Sequence, residues 1–190
     1  MSEEKAAMID ISYAETVTGW MAPSELEYLA SLAEKSLCIA EIGSWQGRST
    51  SALAQHTPGI VVAVDTFQGS VEHHAMLQGK PTSGLWFAFQ QNTSRYDNIW
   101  PLHANSLAAS RIISRGPMRF DLIFIDASHD YDSVLADIQA WLPLLVPGGV
   151  MCGHDYMRWG VKNAVRQLVP HHRLVPGTSI WTTEGLTYDF

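Results

Sequence analysis

The chain has 190 residues, 46% of them hydrophobic, and a formal net charge of −7. This length supports one substantial core but is short for two, so residues 1–190 are predicted to form a single domain, with residues 1–12 flexible. The acidic balance argues against nucleic acid, and the lack of a long apolar segment or signal-like N-terminus argues against a membrane and favours a cytoplasmic protein.

In chain order, a capping-box pattern at Ser24 and Glu27 predicts a first helix over residues 24–35. Strands and helices then alternate. The predicted strands are residues 37–42, 60–65, 99–103, 121–126, 149–153, 173–175 and 179–183. The predicted helices are residues 47–55, 84–96, 106–114, 131–145 and 161–168. Pro143 should end or kink the helix over 131–145, and Pro147-Gly148-Gly149 should turn the chain into the next strand.

Two predicted strands, within 60–65 and 121–126, are apolar on both faces, which requires helices above and below a parallel sheet. The last two strands are joined only by Pro176-Gly177, too short for a parallel crossover, so they should pair antiparallel. The predicted fold class is therefore α/β, a doubly wound, mostly parallel seven-stranded sheet with one antiparallel strand at the C-terminal hairpin. Residues 67–84 lack periodicity, which fits either a lid over the site or an ordinary surface loop.

Residues 41–49, Glu-Ile-Gly-Ser-Trp-Gln-Gly-Arg-Ser, are predicted to turn from the end of one strand into a helix, and the next strand ends at Asp65. Gly43 and Gly47 would let the backbone approach a cofactor without an intervening Cβ. The start of the following helix attracts a carboxylate near Ser49, and an acid at a strand end can bind a ribose diol. Taken alone, the two glycines also fit a plain strand-to-helix turn.

The order of these motifs resembles the class I S-adenosylmethionine-dependent methyltransferases, over about residues 19–183. The resemblance implies a Rossmann-like methyltransferase fold that binds S-adenosylmethionine. The cofactor-binding residues that it implies are Glu41, Gly43, Ser44, Trp45, Gly47, Ser49, Asp65, Asn105, Ser106 and Asp126. Trp20 and Trp45 flank the cofactor loop and would either line a pocket or pack in the interior.

Within that superfamily the chain looks most like small, often magnesium-dependent O-methyltransferases of the catechol and the sugar or natural-product type. Those relatives hold Mg²⁺ with an acid after the fourth strand and paired polar residues after the fifth. Asp126, His154 and Asp155 match these positions, but His154 stands where the catechol type has an acid, and histidine is softer than the ligands that Mg²⁺ prefers. The alternatives are a helix cap for Asp126, a turn for Asp155 and a structural role for His154.

Methyl transfer to oxygen requires a deprotonated acceptor, because the sulfonium already carries a good leaving group. A bound cation lowers the pKa of the acceptor oxygen, and a histidine can accept its proton. His129 is the candidate base, with Asp126 as the second catalytic residue, although His129 also fits a surface or capping role. The expected partner is a small-molecule acceptor: a sugar, a phenol or a hydroxylated natural product. With no separate substrate domain, its pocket would be shallow or completed by a second subunit of a homo-oligomer.

Two other functions fit part of the pattern. A nicotinamide-dependent oxidoreductase would use Asp65 and the same strand–helix–strand unit, but the loop lacks Gly-x-Gly-x-x-Gly. A cofactor-binding domain without catalysis would keep Gly43 and dispense with His129. The adjacent histidines His73 and His74, in a loop rich in glycine and proline, favour a solvated loop over a metal site.

Overall fold

The computed structural model describes residues 9–69 and 84–186 of the chain. The His73-His74 pair, most of the segment predicted as a lid or loop, and residues 1–8 of the predicted flexible N-terminus lie outside these ranges. Within the two described ranges, no helix combines the length and the apolar character that crossing a bilayer requires.

Helices and strands alternate along the described chain, as predicted. Their bounds are α1 Ser12–Thr16, α2 Pro23–Ala33, β1 Cys38–Ile42, α3 Arg48–His56, β2 Ile60–Asp65, α4 Leu85–Thr93, β3 Ile99–His103, α5 Ser106–Ile113, β4 Phe120–Ile125, α6 Tyr131–Trp141, a 3₁₀ turn Leu142–Leu144, β5 Leu145–Gly153, α7 Trp159–Leu168, β6 Arg173–Leu174 and β7 Trp181–Thr182. The strands form a sheet in the order β3-β2-β1-β4-β5-β7-β6, in which β7 runs antiparallel to both of its neighbours. The predicted fold class is confirmed.

The central strands are apolar on both faces because each face packs against helices. On one face, Ile39 of β1 and Leu122 of β4 join a core with α2 and α3. On the other face, Ala40 and Ile123 join a core that contains Trp141 of α6. At the sheet edge, β3 carries Pro101, whose missing N–H costs least in a strand with one neighbour. The two-faced core supports the strand ends on which the site is built.

The start of α2 differs from the prediction. The helix begins at Pro23, and Oε2 of Glu25 accepts a hydrogen bond of 2.9 Å from the backbone N–H of Ala22. Ser24 lies inside the helix, so the predicted Ser24–Glu27 capping box is wrong. Proline suits the first helical position because its missing N–H would have no partner within the helix. The preceding helix α1 was not predicted, since five residues are too few to show a helical periodicity.

The segment around Pro143 and Pro147 is partly as predicted. The α-helix ends at Trp141 and continues as a 3₁₀ turn, as Pro143 requires. Strand β5, however, begins at Leu145, four residues before the predicted start. Phe120 pairs with Leu145 and Leu122 with Val150, so Pro147 and Gly148 lie in a bulge of β5 and do not form a turn before it.

The carboxyl ends of β1, β2, β4 and β5 lie at one edge of the sheet, because these strands are parallel. Two backbone hydrogen bonds tie the loops together there. The N–H of Gly43 donates to the carbonyl of Val64 at 2.9 Å, and the N–H of Asp126 donates to the carbonyl of Ile42 at 2.8 Å. The predicted cofactor loop and the predicted catalytic loop therefore meet directly.

Candidate functional site

The loop after β1 approaches β4 so closely that only glycine fits at position 43. Gly43 has a φ of +94°, and an added Cβ would lie 2.2 Å from the backbone oxygen of Asp126. Gly47, with a φ of +91°, caps α3, and its added Cβ would lie 2.7 Å from Thr93 Cγ2. Gly43 thus brings the loop against β4, whereas Gly47 packs towards α4 and shapes the loop without lining the site.

Asp65, at the end of β2, holds the backbone of two loops. Its Oδ2 accepts the N–H of Trp45 at 2.8 Å, and its Oδ1 accepts the N–H of Phe67 at 2.6 Å. Both donors have a positive φ, 47° for Trp45 and 50° for Phe67, a conformation that is uncommon for bulky residues. The predicted ribose-binding acid therefore also fixes the conformation of the loops beside it.

Two clefts lie over this edge of the sheet. The first, of about 390 Å³, is lined by Asp65, Asn105, Ser106, Ser128, Asp132 and Asp137 among others. The second, of about 310 Å³, is lined by Trp20, Ser44, Ser49, His129, His154, Asp155 and Arg158 among others. Gly43, Trp45, Asp126 and Ala127 line both clefts. A single ligand that occupied both clefts would pass over Gly43 and Asp126.

The floor of the first cleft contains a buried hydrogen-bonded chain. Ser106 donates to Oδ1 of Asp137 at 2.6 Å and accepts from Nε1 of Trp141 at 2.8 Å. Burial raises the pKa of Asp137 to about 6 in spite of the hydroxyl of Ser106, which lowers it. Asn105 caps α5, its side chain accepting the N–H of Leu107 at 3.0 Å. The side chains of Asn105 and Ser106 therefore line the cleft while making structural hydrogen bonds.

The second cleft contains a cluster of two histidines and two acids. His129 Nε2 lies 2.8 Å from Asp155 Oδ2. His154 Nδ1 lies 3.5 Å from the same oxygen and 3.7 Å from Asp126 Oδ1. Arg158 Nε lies 3.6 Å from Asp155 Oδ1. The predicted base and the three predicted metal ligands are therefore brought together.

Burial and ion pairing act against each other in this cluster. Burial raises the pKa of Asp126. Burial also acts to raise the pKa of Asp155, but the His129 and His154 imidazoles outweigh it and hold this pKa well below its usual range. For His154, burial acts to lower the pKa, yet contacts with Asp155 and Glu25 outweigh it and raise the pKa to about 10. The cluster therefore favours a positive charge at the position of His154.

The donor set fits a bound cation. Asp126, His154 and Asp155 each offer one ligand atom, and these atoms lie within 4.8 Å of one another. Two carboxylate oxygens and one imidazole nitrogen make a mixed oxygen and nitrogen set, which suits first-row transition ions as well as or better than Mg²⁺. The three predicted ligands are therefore placed where they could share one ion.

The cofactor loop contains buried polar atoms that a ligand could satisfy. Glu41 is fully buried below the loop, where it accepts a hydrogen bond from Thr50, and burial raises its pKa to about 7. Its other oxygen, Oε1, and Ser44 Oγ are buried without a hydrogen-bond partner in the part of the chain that the structure describes. Buried unpaired polar groups are costly, and because Ser44 lines the second cleft, its unpaired hydroxyl points to a polar ligand there.

The N-terminal segment forms one wall of the second cleft, and Arg48 holds it there. The guanidinium donates to the carbonyls of Val17 at 2.7 Å, Glu15 at 2.8 Å and Met21 at 3.1 Å. Trp20, on this segment, lies against Trp45 with ring centroids 5.3 Å apart. Both tryptophans therefore line the cleft, the first of the two roles that the sequence allowed.

Three residues of the site were not predicted from the sequence: Glu25, Arg48 and Asp137. Arg48 lies inside the quoted motif, directly after Gly47, and its position at the start of a helix was the available signal. Asp137 interrupts an otherwise apolar stretch of α6, which is a signal for a paired buried acid. Glu25 gave no local signal, because its partners His154 and Ser179 lie far from it in sequence.

A model of the methyltransferase domain family matches residues 40–156, which is more than half of the chain and includes the loops after β1, β2, β4 and β5. The chain belongs to the methyltransferase domain family. The prediction of a class I S-adenosylmethionine-dependent methyltransferase is thereby confirmed for family and fold. No curated protein sequence matches the chain.

Several solved methyltransferase structures share the fold. The O-methyltransferase from Bacillus cereus in complex with SAH is 21% identical, over 89% of this chain and 84% of that one, with a TM-score of 0.63. The calicheamicin methyltransferase CalS11 is 17% identical, over 83% and 76% of the two chains, with a TM-score of 0.61. The SAH-bound Podospora anserina methyltransferase PaMTH1 is 16% identical, over 90% and 84%, with a TM-score of 0.62. At these identities the likeness is one of fold.

Proposed function

We propose that this methyltransferase transfers the methyl group of S-adenosylmethionine to an oxygen of a small molecule, such as a sugar, a phenol or a hydroxylated natural product. One observation carries the proposal: two clefts meet at Gly43 and Asp126, with Asp65 in one and His129 in the other. A transfer to oxygen is also the activity named for structures of the same fold, among them the Bacillus cereus O-methyltransferase and CalS11, which is described as a TDP-rhamnose 3′-O-methyltransferase.

In this proposal the cofactor occupies the first cleft and extends over Gly43 and Asp126, which line both clefts, towards the second. Its ribose binds Asp65, and its adenine lies beside Asn105. The methionine end points towards α3, where Ser49 and the helix N-terminus favour a carboxylate. The ammonium group would provide donors for the buried oxygens of Glu41 and Ser44. The sulfonium would then lie over Gly43, facing the second cleft.

The residues of the second cleft would activate the acceptor. Asp155 is an anion within 2.8 Å of His129 Nε2, so that nitrogen carries the proton and Nδ1 is left as the base. The acceptor O–H would give its proton to His129 Nδ1 while the oxygen forms a bond to the methyl carbon. The bond from that carbon to sulfur breaks, and S-adenosylhomocysteine leaves.

Asp126, His154 and Asp155 would hold a cation beside the acceptor, and Mg²⁺ is the ion that the family resemblance suggests. A cation at this position would lower the pKa of a hydroxyl bound next to it. The protein itself would hold the three cation ligands in place, and Asp126, which lines both clefts, would lie between the cofactor and the acceptor.

Titration calorimetry with S-adenosylhomocysteine tests the proposal. We expect one site per chain, and weaker binding in Asp65→Asn, which loses the charge that a ribose diol binds and one of the two acceptors that hold the N–H groups of Trp45 and Phe67. Asp132→Asn, on the outer rim of the same cleft, is the matched control. No binding at millimolar ligand would refute the proposal. Enhanced nicotinamide fluorescence on mixing would favour the oxidoreductase, and cofactor binding without methyl transfer to any of a panel of sugars and phenols would favour a non-catalytic domain.

A further inference from the structure

Glu25 reaches the candidate cation site from outside the segment that matches the family model, residues 40–156. It lies on α2, is 5% exposed, and places its Oε2 3.0 Å from Nε2 of His154. The contact joins an N-terminal helix to the loop after β5. A buried acid at such a distance in sequence from the predicted ligands calls for a physical explanation.

Glu25 is held in place by four contacts. Its Oε2 accepts the N–H of Ala22 at 2.9 Å as well as facing His154. Its Oε1 accepts both the N–H and the hydroxyl of Ser179, at 2.9 and 3.0 Å. These contacts fix the side chain with its Oε2 beside one nitrogen of His154.

This contact sets the orientation of the His154 ring. Nε2 lies 3.0 Å from the Glu25 carboxylate, at ion-pair distance and outside hydrogen-bond geometry, while Nδ1 faces Asp126 and Asp155. A carboxylate so close attracts the proton of a neutral imidazole to Nε2 and leaves the lone pair on Nδ1. A metal-binding histidine almost always donates its other ring N–H to a carboxylate, a carbonyl or water. Glu25 is the carboxylate on that side of the ring, at ion-pair distance from Nε2.

The spacing of the donors agrees with a single small ion. Nδ1 of His154 lies 3.5 Å from Asp155 Oδ2 and 3.7 Å from Asp126 Oδ1. Two donors about 2.1 to 2.4 Å from one ion, at an angle of roughly 105°, are about 3.3 to 3.8 Å apart. Both separations from His154 Nδ1 fall within that range, and the three ligand atoms lie within 4.8 Å of one another.

We propose that this site selects a divalent first-row transition ion, such as Mn²⁺, over Mg²⁺, and that Glu25 is the positioning residue that orients His154 towards the ion. The inference rests on the cation site of the proposed function and names its metal class. An imidazole nitrogen raises the affinity for transition ions, whereas Mg²⁺ favours oxygen donors and gains little from it. The outer carboxylate strengthens the effect by increasing the basicity of the ring.

The test is a titration of the purified full chain with Mn²⁺, in which the electron paramagnetic resonance signal of free Mn²⁺ measures binding without any turnover. We expect one Mn²⁺ per chain, still bound in a 100-fold excess of Mg²⁺. Mg²⁺ that displaces Mn²⁺ at comparable concentration would overturn the selectivity. No Mn²⁺ binding at millimolar concentration would overturn the site.

Substitutions separate the role of Glu25 from a purely structural one. Glu25→Gln should weaken Mn²⁺ binding about 10- to 100-fold, the usual effect of losing an outer partner. Glu27→Gln, exposed on the same helix, and Ser179→Ala, which removes one contact of Glu25 but not its contact with His154, should bind Mn²⁺ as the wild type does. Unchanged Mn²⁺ affinity in Glu25→Gln would refute the positioning role.

His154→Asp tests the selectivity independently of Glu25. It replaces the nitrogen donor with a carboxylate, and we expect Mg²⁺ to compete with Mn²⁺ in this variant but not in the wild type. Equal competition in the two proteins would contradict the proposal. Calorimetry with S-adenosylhomocysteine on the same samples keeps the two hypotheses apart: cofactor binding without Mn²⁺ binding refutes the metal site alone, and Mn²⁺ binding without cofactor binding refutes the proposed function.

Discussion

Replacing Gly43 with alanine tests the close approach of the loop after β1 to the end of β4. An added Cβ would lie 2.2 Å from Asp126 O and 2.5 Å from Asp126 C, backbone atoms that no side-chain rotation can move. The left-handed conformation of Gly43 costs alanine about 1–2 kcal/mol, and overpacking costs about 1–3 kcal/mol. We expect Gly43→Ala to lower the free energy of unfolding by roughly 2–5 kcal/mol and to weaken the binding of S-adenosylhomocysteine.

Gly148→Ala is the matched control for that substitution. Gly148 also has a positive φ, +79°, but an added Cβ there would meet nothing within 4 Å. It should therefore lose only about 1–2 kcal/mol, a fall in Tm of roughly 2–8 °C for a chain of this size, with cofactor affinity unchanged. Urea unfolding and calorimetry on both variants give the comparison. Equal losses of stability, together with wild-type cofactor affinity in Gly43→Ala, would refute the reasoning.

Three further predictions concern the two clefts. His129→Ala should lower kcat, for an acceptor that the wild type methylates, by about 10²- to 10⁴-fold and leave the affinity for S-adenosylhomocysteine unchanged. The control His56→Ala, on α3, should change neither kcat nor that affinity. A loss of cofactor affinity in His129→Ala would contradict the role of His129 as base. Burial raises the pKa of Asp137 from its usual 3.8 to about 6, so the folded carboxyl holds its proton more tightly than the unfolded one. The loss of stability caused by ionising Asp137 therefore grows between about pH 4 and 6 and is complete above that range. Asp137→Asn should therefore stabilise the fold at pH 8 by up to about 3 kcal/mol and by little at pH 4, and urea unfolding that shows the same difference at both values would count against this. Arg48→Met should increase hydrogen exchange over residues 12–21, since four carbonyls lose their donor; unaltered exchange there would show that the segment is held by packing instead.

The position of the residues at the strand ends could be predicted, because parallel strands place their carboxyl ends at the same edge of the sheet. Apolar runs that stop at Asp65 and Asp126 mark buried strands, and the carboxyl ends of neighbouring parallel strands share one edge of a sheet. That rule alone brings Asp126 close to His154 and Asp155. The edge strand β3 was predicted with its observed bounds because its flanking turn residues are distinct.

The parts that could not be predicted depend on contacts between elements distant in sequence. Glu25 contacts His154 only because α2 packs on the face of the sheet beside β5 and the C-terminal hairpin, and no local pattern fixes that placement. The start of β5 at Leu145 also depends on a contact with a distant element, its pairing with Phe120 of β4. Pro147 and Gly148 have the composition of a turn, and the bulge that contains them exists only through the pairing of Leu145 with Phe120.

A crystal structure of the complex with S-adenosylhomocysteine tests the central claim most directly. The account predicts one ligand that spans both clefts, with its ribose hydroxyls on the Asp65 carboxylate and its sulfur above Gly43, facing His129 across Asp126. A ligand confined to another surface, or bound with its sulfur turned away from the cleft that contains His129, would contradict it.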